Sequence, residues 1–269
     1  MGEERLSAIR LLLVVEGGKV EPRLMERCFE LLNLKGVSYE IVPFCTNIYQ
    51  LIRYVDEKYD GDFESIDVRA ILRELYPERA ALLEGSFTDI VLVFDYDPQD
   101  SAFDQDRLEE MAGYFNESTD LGRLYLNYPA VEALRDFSDY GDRAFYESAV
   151  RIEDLARHGY KRVVEARVPP TPFTDFKRIS SPHLANIIAM NVGKIQHLVS
   201  LAPIESTVSW SRRPGLTDEY FDLDLDELLR LQGEELHQGR VYICGTCLFF
   251  FLEYWGHETI DPIWKKASA

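Results

Sequence analysis

The chain has 269 residues, of which 46% are hydrophobic, 12% aromatic and 28% charged; this balance supplies a sizeable core and excludes an intrinsically disordered chain. Its 47 acidic and 29 basic side chains give a net charge of −18, which argues against a free-standing nucleic-acid binder that covers many phosphates with Lys and Arg. The imbalance is local: residues 1–150 hold 31 acidic and 15 basic side chains, residues 151–269 hold 16 and 14.

The longest apolar run near the start, Ile9 to Val15, is too short to span a bilayer, and Glu16 follows it rather than a small-residue cleavage site. The expectation is a cytoplasmic protein with no membrane association. Cys28, Cys45, Cys244 and Cys247 are expected as reduced thiols, since disulfide frameworks belong to small secreted domains.

In chain order, Ile9 to Val15 reads as a strand buried on both faces, ending in a Glu16-Gly17-Gly18 turn. Pro22 then suits a first helical turn, and Leu24, Met25, Cys28, Phe29, Leu31 and Leu32 recur at helical spacing. Tyr39 to Val42 is a second strand, Asn47 to Lys58 a helix and Ile66 to Tyr76 another. Ile90 to Phe94 is the clearest buried strand and runs into Asp95-Tyr96-Asp97-Pro98. A helix over Arg107 to Phe115, a strand over Gly122 to Leu126 and a helix over Pro129 to Phe137 complete the alternation.

Such alternation implies an α/β fold with a mostly parallel sheet flanked by helices. Beyond residue 140 helical patterns dominate, roughly 143–157, 183–200, 218–232 and 244–255, with Pro169-Pro170-Thr171-Pro172 as a stiff connector. The expected division is therefore an α/β domain over 1–140 and a mainly helical region over 141–269.

In open α/β sheets, working residues collect beyond the carboxyl ends of the strands. Glu16 follows the first strand, Asp95 and Asp97 the central one, and Glu132 opens the helix after the Gly122 to Leu126 strand; Glu21 begins the first helix. Hard divalent cations such as Mg²⁺ take oxygen ligands of this kind. In Asp95-Tyr96-Asp97 the period-2 alternation of a strand end puts both carboxylates on the same side, where they can address one metal cluster, and paired metals would stabilise the attacking and leaving oxygens of a phosphodiester displacement. Taken singly, a Glu-Gly after a strand is an ordinary turn and an Asp-x-Asp a polar loop. Their order along one sheet gives the combination its meaning.

The segments Glu16-Gly17-Gly18-Lys19-Val20-Glu21-Pro22, Phe94-Asp95-Tyr96-Asp97 and Asn127-Tyr128-Pro129-Ala130-Val131-Glu132 together resemble the TOPRIM domain of RloB-like and OLD-like nucleases, over roughly residues 8–140. The chain carries Val20 where that family has Thr or Ser. The resemblance implies a metal-dependent nuclease that cleaves phosphodiester bonds in DNA or RNA, in bacterial anti-phage defence, with Mg²⁺ or Mn²⁺ as cofactor. It makes Glu16, Asp95 and Asp97 metal-associated, with Glu21 and Glu132 as further acidic groups: Glu16, Asp95, Asp97 and Glu132 as catalytic, Glu16, Glu21, Asp95 and Asp97 as metal ligands. Lys19 in the first loop is a candidate phosphate contact, set against an ordinary solvent-exposed lysine. No Gly-x-x-x-x-Gly-Lys-Ser/Thr pattern occurs, so an ATPase or other defence-system protein would be a separate partner; a homo-oligomer is left open. Two other readings stand beside this one: a catalytically silent TOPRIM-like interaction subunit, and a small-nucleotide phosphohydrolase.

Other signals are weaker. Cys244-Gly245-Thr246-Cys247 has half a zinc site's spacing, but with apolar residues after it the expectation is buried structural thiols, with zinc through His257 left open. Asp100, Asp104 and Asp106 read as a solvated loop and helix N-terminus. Lys161, Arg162, Arg167, Lys177 and Arg178 form one modestly basic stretch, suited to a phosphate backbone or to balancing the acidic first half. The aromatic residues from Phe249 to Trp255, with Trp264, read as core or partner surface.

Overall fold

The computed structural model describes residues 9–119, 121–139, 141–168, 175–200 and 223–256. Its centre is a five-stranded sheet ordered β2-β1-β3-β5-β4. The strands are β1 (Ile9–Val15), β2 (Val37–Pro43), β3 (Asp89–Asp95), β4 (Asn116–Glu117) and β5 (Gly122–Asn127). The first four neighbours run parallel and β4 is an antiparallel edge. Leu11 to Val15 and Val91 to Phe94 are fully buried, because parallel strands are covered by helices on both sides.

Helix α1 (Val20–Leu32) joins β1 to β2, while α2 (Ile48–Tyr59) and α3 (Val68–Leu75) join β2 to β3. The first connection steps one way along the sheet and the second steps back across β1, so right-handed crossovers put α1 on one face and α2 and α3 on the other. Helix α4 (Gln105–Tyr114) packs beside α2. The α1 side is completed by α8 (Ser181–Ser200) and a 3₁₀ turn at Phe176–Arg178.

The chain between and beyond these elements forms α5 (Arg143–Tyr146), β6 (Ala149–Arg151), α6 (Ile152–His158), α7 (Tyr160–Arg167), α9 (Leu225–Leu236), β7 (Arg240–Tyr242) and α10 (Phe250–Trp255). The β6 and β7 strands pair as a small antiparallel sheet. One apolar core joins the two halves of the chain. Phe29 of α1 stacks on Tyr39 at 4.0 Å and meets Phe251 edge-on at 5.1 Å, and Arg123 of β5 pairs with Glu253 of α10 at 2.8 Å.

Four expected helices differ. Over Pro129 to Phe137 the helical turn is a 3₁₀ segment confined to Val131–Arg135, because Tyr128 bridges to Cys244 and the Pro129 carbonyl accepts from Asp97 N–H at 3.0 Å. The expected 143–157 helix is cut by β6, whose backbone is drawn into pairing with β7. Residues 244–249 form a bridge and turns, leaving helix only from Phe250. The described part of the 218–232 helix begins at Leu225, capped by the Asp224 side chain. The connector Pro169-Pro170-Thr171-Pro172, the start of that helix, His257 and Trp264 lie outside the described residues. Among the described residues, no helix is long and apolar enough to cross a membrane.

Candidate active site

The neighbours of β1 are β2 on one side and β3 on the other, so the chain leaves their carboxyl ends in opposite directions and opens a crevice there. Glu16 enters it directly after β1. Its N–H donates to Val93 O at 3.0 Å and its carbonyl accepts from Cys45 N–H at 2.9 Å, which fixes the backbone between both neighbouring strands. Its side chain crosses to β3, where Oε2 accepts the Asp95 N–H at 3.0 Å.

Glu21 lies in the first turn of α1 and is only 5% exposed. Its carboxylate accepts from the backbone N–H groups of Gly17 and of Glu21 itself, satisfying a donor that the start of a helix leaves open. The turn closes so tightly over this carboxylate that a Cβ at Gly17 would sit 2.6 Å from Glu21 Oε2. Lys19, the residue capping α1, is exposed and makes no side-chain cap bond.

Asp95 ends β3 in register with Asn127 at the end of β5. The fully buried Asn127 donates from Nδ2 to Asp95 Oδ1 at 3.4 Å and accepts Cys247 N–H at Oδ1, also at 3.4 Å. Asp97 does not continue the strand. Its φ of +35° is left-handed, a region Asp tolerates better than most residues, and the same-side projection expected from strand alternation is replaced by a turn. Gln99 Nε2 donates to Asp97 Oδ1 at 2.8 Å, and Asp100 N–H to the Asp97 carbonyl at 2.9 Å. Glu132, 9% exposed, sits in the 3₁₀ turn with Arg135 Nη2 at 3.8 Å from its Oε1.

Burial, first of all, pushes the Glu16 carboxyl up to about 8, aided by the charges of Asp97, Glu21 and Asp100 and opposed by the Asp95 N–H. Asp95 is raised well above the usual carboxylate range by burial, then by Glu16, Glu21, Asp97 and Glu132. Glu21 and Asp97 are raised mainly by burial, with Glu132 adding to both. All five predicted carboxylates therefore share one electrostatic neighbourhood. Among the described residues, no ion pair includes Glu16, Glu21, Asp95 or Asp97. Buried like charges without counter-charge hold protons or a cation.

The donor set is all hard oxygen, the chemistry that Mg²⁺ and Mn²⁺ prefer. Yet among the described residues no three His, Cys, Asp or Glu side chains converge on one point as they stand. The carboxylates fit a divalent cation by charge and donor type, and would have to turn toward it to share it.

Neither a protein-family model, nor a curated protein, nor a solved structure matches the chain.

Two contributors escaped the sequence reading. Asn127 belongs to the quoted Asn-Tyr-Pro segment without a role of its own; its place at the end of a strand parallel to β3 was the available signal. Asp100, read as a solvated loop residue, accepts from Asn47 Nδ2 at 2.7 Å and raises both Glu16 and Asp97. Asp104, in contrast, caps α4 by accepting Arg107 N–H at 3.1 Å. Cys244 and Cys247 are fully buried free thiols, and burial holds Cys244 up at about 12. A cavity of about 130 Å³ lies away from the carboxylates, lined by Phe115, Arg123, Tyr128, Asp226 and Leu229 among others.

Proposed function

We propose that the protein is a Mg²⁺- or Mn²⁺-dependent hydrolase of phosphodiester bonds, a TOPRIM-type nuclease acting in the cytoplasm. The observation that carries this reading is the gathering of Glu16, Asp95 and Asp97, with Glu21 and Glu132 beside them, at the crevice between the β1 and β3 ends, where burial and neighbouring carboxylates raise the proton affinity of Glu16, Glu21, Asp95 and Asp97 and, among the described residues, no ion pair answers those four. Glu16, Asp95 and Asp97 would hold the cation, which when bound supplies charge stabilisation to an attacked phosphodiester.

The chain's own groups then have distinct tasks. Glu16 must release its proton for the site to reach full negative charge. Asp95 is oriented by Asn127 and Asp97 by Gln99. Glu21, whose oxygens accept backbone N–H groups, supports the turn that carries Glu16, and Glu132 supplies charge from the opposite edge. Lys19, exposed at the mouth, is free to meet a phosphate.

The test is cleavage of labelled single- and double-stranded DNA and of tRNA with Mn²⁺ or Mg²⁺, beside Glu16→Ala and Asp95→Ala. Metal-dependent cutting that both substitutions abolish supports the reading. A catalytically silent interaction subunit is the second reading, favoured by the lack of three convergent ligands among the described residues; it predicts intact substrates and Mn²⁺ binding that Asp95→Ala leaves unchanged.

A further inference from the structure

The turn that bears Glu132 is flanked by elements whose charge opposes that of the carboxylates. Helix α7 packs on this turn, where Tyr160 OH donates to Asp136 Oδ2 at 2.6 Å and Arg167 Nε to Asp136 Oδ1 at 3.1 Å. Arg135, the neighbour of Glu132, lies over the Phe176 ring at 5.5 Å and so ties in the Phe176–Arg178 turn. That turn packs against α1, whose Arg27 Nε donates to Ile179 O at 2.9 Å.

Between Arg157 and Arg178 the sequence holds six Lys and Arg side chains and only two acidic ones. Lys161, Arg162, Lys177 and Arg178 are all exposed. Lys161, Arg162 and Lys177 form no ion pair among the described residues, and Arg178, its side chain 85% exposed, reaches only Asp175 at 3.8 Å. The other face of the sheet is different. From Arg53 to Glu84 there are nine acidic and five basic side chains, and Lys58, Arg69 and Arg79 are already paired with carboxylates there.

We propose that Lys161, Arg162, Lys177 and Arg178 form a rim that holds the phosphate backbone of a polynucleotide beside the carboxylate cluster, so that the substrate is a strand and not a lone nucleotide. The proposal rests on the hydrolytic reading of the carboxylates. The acidic face repels a polyanion and this flank attracts it, which sets the side from which a strand approaches the crevice. A net-acidic protein can bind nucleic acid in this way because the four cations are local, unpaired or weakly paired among the described residues, and carried by elements that pack on the turn bearing Glu132 or on α1.

The experiment is a fluorescence-anisotropy titration of a labelled single-stranded oligonucleotide with the full chain, in Ca²⁺ and in EDTA, across a salt series. Each phosphate contact on a single strand adds about −0.7 to the slope of log K against log salt. Lys161→Glu/Arg162→Glu and Lys177→Glu/Arg178→Glu should each weaken binding about tenfold or more and make that slope shallower by about 1.4, while Arg53→Glu on α2 leaves both unchanged. All these side chains are exposed, and unaltered melting temperatures check that the variants fold. No binding by the wild-type chain, or the same affinity and slope in the rim variants, overturns the proposal. Parallel Mn²⁺ titration of Asp95→Asn separates the two ideas: unchanged metal binding there defeats the hydrolytic reading, whereas loss of metal binding with an unaltered rim slope defeats only the rim.

Discussion

The N–H of Asp95 donates to Glu16 Oε2 at 3.0 Å, so the acid after β1 is held against the backbone of the acid that ends β3. This bond favours the charged form of Glu16, and burial among carboxylates outweighs it. The balance between them governs how the site responds to protons and to metal.

Divalent-cation binding should tighten as pH rises through the region near 8 where Glu16 titrates, because a carboxylate must be deprotonated to act as a ligand. Calorimetric titration of Mn²⁺ in buffers of different ionisation enthalpy should show proton release on binding at pH 7. No proton release and a flat pH profile would contradict the coupling. Glu16→Gln should reduce the release, the remainder coming from the other raised carboxylates.

Stability without divalent cations should fall as pH rises. Glu16 has its ordinary value of 4.5 in the unfolded chain and about 8 in the folded one, so in that window the folded state holds the extra proton and each step up in pH favours unfolding. The contribution is whole below 4.5 and is lost on passing about 8. Lys194 acts in the reverse direction: burial lowers it from 10.5 to about 7, so its penalty disappears as pH rises through that window. Melting temperatures from pH 5 to 8 should decline in EDTA, and Asp95→Asn should flatten the decline.

Gly17→Ala should strain the site turn. A Cβ there lies 2.6 Å from Glu21 Oε2 and 3.1 Å from the carboxyl carbon, and the buried carboxylate has backbone bonds to lose. The expected cost is about 1–3 kcal/mol in urea denaturation. In Glu21→Ala the obstructing atoms are gone, so Gly17→Ala should then cost much less. Additive effects in this double-mutant cycle would rule out the clash.

Gly245→Ala should be felt just behind Glu132. Its Cβ would approach Leu134 Cδ2 to 2.5 Å, and Leu134 is fully buried in the same 3₁₀ turn. We expect a loss of about 1–3 kcal/mol, relieved by Leu134→Ala in the same background. Equal urea midpoints for Gly245→Ala and the wild type would show that the turn yields freely.

The α/β half was legible because its signals are local. Ile9 to Val15 and Ile90 to Phe94 are apolar runs of strand length, and Asn47 is both an expected and an observed start of helix α2. The five acids were found from their positions after strands, a feature that survives errors in element boundaries. What failed was non-local. Nothing around Ala149–Arg151 announces a strand until Arg240–Tyr242 lies beside it, and the helix expected from Pro129 gives way to a bridge with Cys244. The turn at Asp97 likewise depends on a bond to the Pro129 carbonyl. Asn127 gained its role only through pairing register, which one strand's sequence cannot express.

The stitching of residues 244–247 onto β5 bears on the order in which the protein is built. Thr246 Oγ1 donates to Leu126 O at 2.8 Å, and Cys247 N–H reaches Asn127 Oδ1, each across 120 residues of chain. Contacts of such separation carry a loop-closure cost before they return any stabilisation, and they tend to form late. During synthesis, the strands bearing Glu16 and Asp95 emerge long before the segment that fixes Asn127. A chain still being made therefore presents its acids while Asn127 lacks its Cys247 partner, which couples the final setting of the crevice to completion of the fold.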